Sequence, residues 1–470
     1  MFINSEVKIT LYLIICLPLL FACSLGPEYR KPDAKDITPH SWSWKLSGPK
    51  DAAPKGTWWK VFRDPELDRL EAAATLNNQT LRSAMARVDK ARAIARISRS
   101  RLFPELSFDP SYQRERTSGN QPTPIPVKLS PRHLNSYSIP LDLSYEVDLW
   151  GRVRKSFEAA NYTAQAAASD YQNAILTLTA DVAVNYYLAR SLDTEISAMK
   201  KAVSLREDSL RLQKERFLAG AIAKVDVFSA MAELSSVRAE LSNTMRRRAE
   251  LLNALALLCG KAAGSVNLEE RRLEALPPSV PAGLPSDLLE RRPDIARAER
   301  NLATANAGIG AAKAAYFPVL HLTGQAGYLS ADAASLLSGY SRVWSIGPSV
   351  SLPLFNNGRI TADVNRAEAQ YEESFAEYRQ TVLTAFKEVE DSLAQIVYSG
   401  EEYAADAEAL AAAGKVSAFA RSRYEVGAAS YFEVIDAEQN TLLHERRLAE
   451  VTGKRFVAAI RLIKALGGGW

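Results

Sequence analysis

Cysteine is scarce in this 470-residue chain, with three residues at positions 16, 23 and 259. Cys16 falls inside an apolar stretch, Ile9 to Ala22, that follows Lys8. That stretch is too short to remain as a spanning helix and reads as a secretory signal. Cys16 would leave with that signal, so Cys23 and Cys259 are the cysteines left to the mature chain. After the leader there is no run of the ~18 apolar residues that a transmembrane helix needs. If the chain crosses a membrane, it crosses with strands. Histidines are also few, at 40, 133, 321 and 444, and no two share metal-ligand spacing on one helix face. His133 and His321 are read as facing water in a loop and a strand. His-Glu-x-x-His, Gly-x-Ser-x-Gly and a phosphate loop are all missing, so no catalytic centre, cofactor or metal is expected. Gly308-Ile309-Gly310 is a lone glycine pair in an alanine-rich helix and reads as packing. The net charge of +4 comes with no basic run interleaved with aromatics, which speaks against nucleic acid.

Two segments alternate apolar and polar residues without a miss. Tyr137, Ile139, Leu141, Leu143, Tyr145, Val147 and Leu149 alternate with Ser138, Pro140, Asp142, Ser144, Glu146 and Asp148. Trp344, Ile346, Pro348, Val350, Leu352 and Leu354 alternate with Ser345, Gly347, Ser349, Ser351 and Pro353. Period two makes each a strand with one apolar and one polar face. Lipid on one side and water on the other accounts for such strands at the roots of long helices.

The chain also repeats itself. Phe103-Pro104-Glu105-Leu106 matches Phe317-Pro318-Val319-Leu320, Asp148-Leu149-Trp150-Gly151-Arg152 matches Phe355-Asn356-Asn357-Gly358-Arg359, and Arg216-Phe217-Leu218-Ala219-Gly220 matches Arg423-Tyr424-Glu425-Val426-Gly427. The first repeat spans 67–258: a helix from Leu67 to Arg101, strands at 104–116 and 136–149, a long helix at 151–219, a turn, and a helix at 225–258. The second spans 287–463: a helix at 287–315, strands at 317–329 and 343–354, a long helix at 357–426, a turn, and a helix at 431–463. Neither glycine nor proline interrupts the chain between Gly151 and Ala219. Such a run is ~100 Å of helix at 1.5 Å per residue. In the second long helix Tyr371, Phe375, Tyr378, Val382, Phe386, Val389, Leu393 and Ile396 recur at steps of three or four, one stripe on one face. Alanines crowd the other faces, so neighbouring helices have close access from more than one side.

Four strands cannot close a barrel, and open edges are not tolerated in lipid. The chain must therefore oligomerise. Three copies give ~12 strands, inside the known range, and two give ~8. A periplasmic coiled-coil scaffold is the competing reading, and the two-faced strands oppose it.

At this point the residues resemble the TolC-like outer-membrane efflux protein family, most closely its OprM/NodT lipoprotein branch. The resemblance rests on Gly26-Pro27-Glu28-Tyr29-Arg30-Lys31-Pro32, Trp58-Trp59-Lys60-Val61-Phe62-Arg63-Asp64, the Asp148 to Arg152 motif, and Leu284-Pro285-Ser286-Asp287-Leu288-Leu289-Glu290-Arg291-Arg292-Pro293-Asp294-Ile295. Leu20-Phe21-Ala22-Cys23 is similar to a lipobox, which makes 1–22 a signal peptide and Cys23 a lipidated residue. The resemblance implies a mainly α fold with β: a homotrimer with a 12-stranded transmembrane β-barrel continuous with a 12-helix periplasmic α-barrel. A mixed equatorial domain would come from 23–66, 259–286 and the tail 464–470. It implies a passive exit duct for small molecules in a tripartite pump, with a periplasmic adaptor and an inner-membrane transporter of the resistance-nodulation-division (RND) class as partners, in the outer-membrane lipid. The adaptor would dock on Val426, Gly427, Ala428 and Ser430, and on Ala219, Gly220 and Ala221. Ala428 stands where the family has leucine. Phe432 takes the place of an apolar constriction ring, Asp436 of an anionic ring and Tyr424 of a tip bonding residue. The branch has an arginine where this chain has Glu425, so that basic link is not carried over. The few methionines speak against a dedicated copper or silver route.

Overall fold

A computed structural model describes residues 26–30, 56–118, 120, 132–278 and 292–468. The expected lipid site, most of the expected segment 23–66, most of the loop between the expected strands 104–116 and 136–149, residues 279–291 and residues 469–470 lie outside them. A short 3-10 turn, Trp58–Phe62, precedes helices α1 (Pro65–Asn77) and α2 (Gln79–Ser100). Strands β1 (Glu105–Phe108), β2 (Ser111–Arg116) and β3 (His133–Val147) lead into α3 (Arg152–Leu218) and α4 (Lys224–Leu258). The second half carries α5 (Pro293–Lys313), β4 (Val319–Ser330), β5 (Arg342–Ser351), α6 (Arg359–Glu425) and α7 (Tyr431–Ala465). The long helices α3 and α6 each have 67 residues. The chain divides into two compact units: Met1–Pro32, Val88–Ala167 and Ala298–Tyr378 in one, Asp33–Arg87, Ala168–Arg297 and Arg379–Trp470 in the other.

In the first unit the strands form one antiparallel sheet, β1-β3-β4-β5, with β2 also on β3. β1 and β2 keep a single register along β3, Glu105 opposite Ser144 and Ser111 opposite Ser138. One expected strand, 104–116, is thus two pieces, interrupted at Asp109-Pro110 opposite Pro140 and Ile139. Proline lacks the ladder donor, which accounts for the gap. His133, expected in a loop, opens β3. Register carries one face through Tyr137, Ile139, Leu141 and Leu143 of β3 to Tyr328, Ala326 and Gly324 of β4, and on to Trp344 and Ile346 of β5. The opposite face carries Asp142, Ser144, Gln325, Thr323 and Ser345. Gln325 Nε2 donates to Asp142 Oδ1 at 2.8 Å on that polar face. The apolar face is open in the single chain: Trp344 is 77% and Ile346 79% exposed.

The repeated motif at the strand-to-helix junction has a mechanical explanation. Asp148 accepts from the backbone N–H groups of Val153 and Arg154, at 3.1 and 2.8 Å, at the start of α3. A carboxylate there satisfies otherwise orphan donors. Gly151 supplies a φ of +79°, and in the second half Asn357 and Gly358 turn at +49° and +80°. The Trp150 ring packs tilted against Phe317, and its Nε1 donates to the Pro318 carbonyl at 2.8 Å. Of the two glycines in α5, Gly310 has a close backbone neighbour. A side chain at Gly26 would come within 2.5 Å of the Gly310 Cα. Asn306 Nδ2 donates to the Pro27 carbonyl at 3.1 Å, and the Tyr29 hydroxyl donates to Glu299 at 2.6 Å. Burial, then that bond, pushes the Tyr29 phenol far above its ordinary range.

In the second unit the core gathers Trp58, Leu67, Leu70, Tyr186, Tyr187, Leu255, Cys259, Phe456, Ile460 and Ile463. Phe456 stacks on Tyr187 at 4.1 Å between ring centroids. The helix expected from Leu67 to Arg101 is broken at Asn78, which has extended backbone angles. Its Oδ1 accepts from Leu81 N–H at 3.0 Å and its Nδ2 donates to the Leu258 carbonyl at 2.9 Å. An asparagine that bonds backbone this way competes with the helix ladder. Within 261–278 there is no helix or strand. Asp193 and Asp64 hold this segment. Asp193 accepts from Arg190 at 3.0 Å, from Arg248 and from the Arg271 N–H, while Asp64 accepts from Tyr186 at 2.7 Å and Arg271 at 2.6 Å. The α6 stripe from Tyr371 to Ile396 is buried or half-buried at every one of its eight positions.

Candidate functional site at the helix tips

Both long helices stop the same way. In α3 the N–H of Ala221 bonds the Arg216 carbonyl at 2.9 Å and that of Gly220 bonds Phe217 at 2.9 Å. In α6 the N–H of Ala428 bonds Arg423 at 2.7 Å and that of Gly427 bonds Tyr424 at 3.0 Å. This paired 6→1 and 5→2 pattern is the Schellman motif, and it needs a left-handed residue at the second position past the helix. Gly220 and Gly427 both have φ +75°. A side chain at either would meet nothing within 4 Å, so the dihedral alone calls for glycine.

The next helix starts differ. Ser430 Oγ accepts from Glu433 N–H at 3.3 Å, and Glu433 accepts from Ser430 N–H at 3.1 Å, a reciprocal capping box. Those bonds, with Arg423 nearby, hold the Glu433 carboxyl below its usual range. At the first tip Ala223 N–H bonds Asp226 at 3.2 Å, but alanine has no oxygen to return the bond. Ala219, Gly220, Ala221, Val426, Gly427, Ala428 and Ser430 are all exposed. Such surfaces are available to a partner.

On α7, Phe432 is 74% exposed and Asp436, one turn on, is exposed on the same face. Val434, Ile435 and Ala437 are buried on the other side. Asn440 Nδ2 donates to Asp436 at 3.4 Å. Tyr424 belongs to a different group. Its hydroxyl accepts from Gln213 Nε2 at 2.9 Å and from Arg216, whose guanidinium lies 4.7 Å from the ring centre. The structure thus gathers Phe432 and Asp436 on an open helix face and ties Tyr424 back to α3.

Sequence reasoning missed the ionic framework behind these residues. Glu438 accepts from Arg206 of α3 at 2.8 Å and from Arg421 of α6 at 2.7 Å, so one carboxylate links three helices. Arg206 is almost wholly buried. Further up, Arg446 donates to Glu195 at 2.8 Å and to Glu240 at 2.6 Å. A signal for Glu438 did exist: it extends the inward stripe Tyr431, Val434, Ile435 by the next helical step, a charge at a core position.

Among the described residues no group of three or more His, Cys, Asp or Glu side chains is arranged to hold a metal, and no helix is long and apolar enough to cross a membrane. Cys23 lies outside the described residues.

A family model described as "Outer membrane efflux protein" matches residues 71–261 and 284–468. Outer membrane protein OprJ of Pseudomonas aeruginosa is 34% identical over 455 residues, 96% of this chain and 94% of that protein. The solvent efflux pump outer membrane protein SrpC of Pseudomonas putida is 34% identical over 469 residues, 97% of each chain. Among solved structures, the outer-membrane channel OprN superposes with a TM-score of 0.86 at 28% identity, covering 95% of this chain and all of that one. The Campylobacter jejuni CmeC outer membrane channel superposes with a TM-score of 0.86 at 27% identity, covering 95% of each.

Proposed function

The chain belongs to the outer membrane efflux protein family, and from that premise we propose that three copies close the four strand paths of each chain into one 12-stranded barrel in the outer membrane. The protein is an outer-membrane efflux channel and works as the exit component of a tripartite pump. Twelve long helices continue the barrel into the periplasm, with the segments 23–66, 259–286 and 464–470 as a belt around them. Cys23 is acylated and tethers each copy to the membrane. The tips Ala219-Gly220-Ala221 and Val426-Gly427-Ala428 with Ser430 receive a periplasmic adaptor, which joins the duct to an RND-class transporter. Phe432 and Asp436 form the constriction, and Tyr424 helps to hold it. The cargo is small toxic organic molecules, and the duct itself is passive.

The observation that carries the reading is the sheet. It has an exposed apolar face without a single carboxylate, and a polar face that bears Glu105, Glu115, Asp142 and Glu146. Its edges, β1 with β2 on one side and β5 on the other, lack partners among the described residues of one chain. Lipid outside, water inside and pairing between copies satisfy all of these at once. Three Asp436 carboxylates around a narrow opening repel one another and draw cations.

Planar-bilayer conductance of the purified protein tests the proposal, wild type beside Asp436→Ala. A low conductance that rises in the variant is expected. Equal conductance would move the constriction elsewhere, and no conductance with no trimer in light scattering would return the soluble scaffold. Labelled palmitate should enter the wild type and not Cys23→Ser.

A further inference from the structure

The apolar face of the sheet has a charged margin of one sign. Register assigns Tyr112, Arg114 and Arg116 of β2 to the face that carries His133, Asn135 and Tyr137 of β3, and Arg342 and Trp344 of β5 to the face that carries Tyr328 of β4. These are the same face, since Tyr137 pairs with Ser330 and Ile139 with Tyr328. The Tyr112 and Tyr137 rings lie 4.7 Å apart on it. All of these residues stand at the strand ends farthest along the chain from the helices. β2 ends at Arg116, β3 begins at His133 and β5 begins at Arg342. The strand ends step along the sheet in register, as tilted barrel strands do. Each strand path therefore shows the same order toward that end: an aromatic residue (Tyr112, Tyr137, Tyr328 or Trp344), then two residues further out Arg114, Asn135, Ser330 or Arg342.

Arg114, Arg116 and Arg342 form no ion pair among the described residues, and their face of the strands bears no Asp or Glu. Glu115 alternates to the opposite face, and Asp332 in the following turn bonds the Ala334 N–H instead. Aromatic rings mark the interface depth of a membrane barrel. Cations just beyond them, on the lipid side, stand at headgroup level. Arginine there is suited to phosphate, which it binds through a planar fork of donors.

We propose that Arg114, Arg116 and Arg342 form a phosphate-binding margin for the headgroups of phosphorylated lipid in the leaflet that meets the far strand ends. The inference rests on the membrane-barrel reading above. Three copies would carry the margin around the whole barrel, so that each molecule is ringed by anionic lipid.

The probe is diphosphoryl lipid A in phosphatidylcholine vesicles, with the dephosphorylated lipid as control. Retained lipid is counted by native mass spectrometry after purification. The wild type should enrich diphosphoryl lipid A over the control. An R114Q/R116Q/R342Q chain should hold it on the order of 100-fold more weakly, at about fivefold for each surface cation lost. The R114K/R116K/R342K chain should recover part of the binding, and raised salt should weaken the wild type toward the glutamine chain. Equal retention by wild type and glutamine chain, with both conducting in bilayers, overturns the margin and leaves the barrel standing. Failure of the wild type itself to insert or conduct overturns the barrel, and the margin with it.

Discussion

Glu71→Gln tests how a carboxyl survives in the core of the second unit. Glu71 is fully buried in α1, and neither carboxyl oxygen meets a hydrogen-bond donor among the described residues. Leu67, Leu70, Leu255 and Cys259 belong to the same core, and the Cys259 thiol is bonded to the Leu70 carbonyl. Burial, and secondarily the charge of Asp68 one turn earlier, pushes the Glu71 pKa up to about 9 from an ordinary 4.5. The folded chain then keeps a proton that the unfolded chain releases above pH 4.5. Stability attributable to this residue is present below pH 4.5 and falls as pH rises toward 9, by about 1.4 kcal/mol per pH unit. At pH 7 the wild type has lost about 3 kcal/mol, and at pH 5 less than about 1 kcal/mol, relative to a chain that does not titrate there. Glutamine keeps the shape and an unpartnered polar end, but it has no proton to lose. The expected result is near-equal stability at pH 5 and a gain for Glu71→Gln that grows through pH 6, 7 and 8. Denaturant midpoints followed by tryptophan fluorescence at each pH read this directly. A difference between the chains that does not vary with pH would refute the reasoning, and would mean that Glu71 is ionised and paired in the fold.

Two further outcomes concern the tips. Ala223 has the same extended backbone as Ser430, φ −82° and ψ 156° against −79° and 157°, so Ala223→Ser should complete the missing half of the capping box. The gain is about 1 kcal/mol at that helix start, read as slower amide exchange over 223–228 with no change over 430–435. Gly427→Val should cost about 1–2 kcal/mol at the turn, because a branched residue is forced to φ +75°. Adaptor cross-linking through Ser430 should fall while the oligomer persists. Undiminished cross-linking and export would remove Val426 to Ser430 from the docking surface.

Which features were legible in the sequence follows from how far apart the interacting residues are. The strands announce themselves because each residue's face is set by its own parity, and the α6 stripe because each turn repeats the last. Gly220 and Gly427 are legible for a similar reason: one residue type satisfies the positive φ that ends the helix. The breaks are less visible. Asn78 reads as an ordinary helix residue until the Leu258 carbonyl arrives from 180 residues away to occupy its amide. Pro110 and Pro140 are each tolerable alone, and only their near opposition across the sheet divides β1 from β2. Glu438 and Glu71 mark the limit. Both are acids on inward helix faces, and local pattern treats them alike. Arg206 and Arg421 reach Glu438 from two other helices, whereas nothing described reaches Glu71. The same local signature therefore ends as a charge clamp in one place and a neutral acid in the other. Only the long-range partners decide between them.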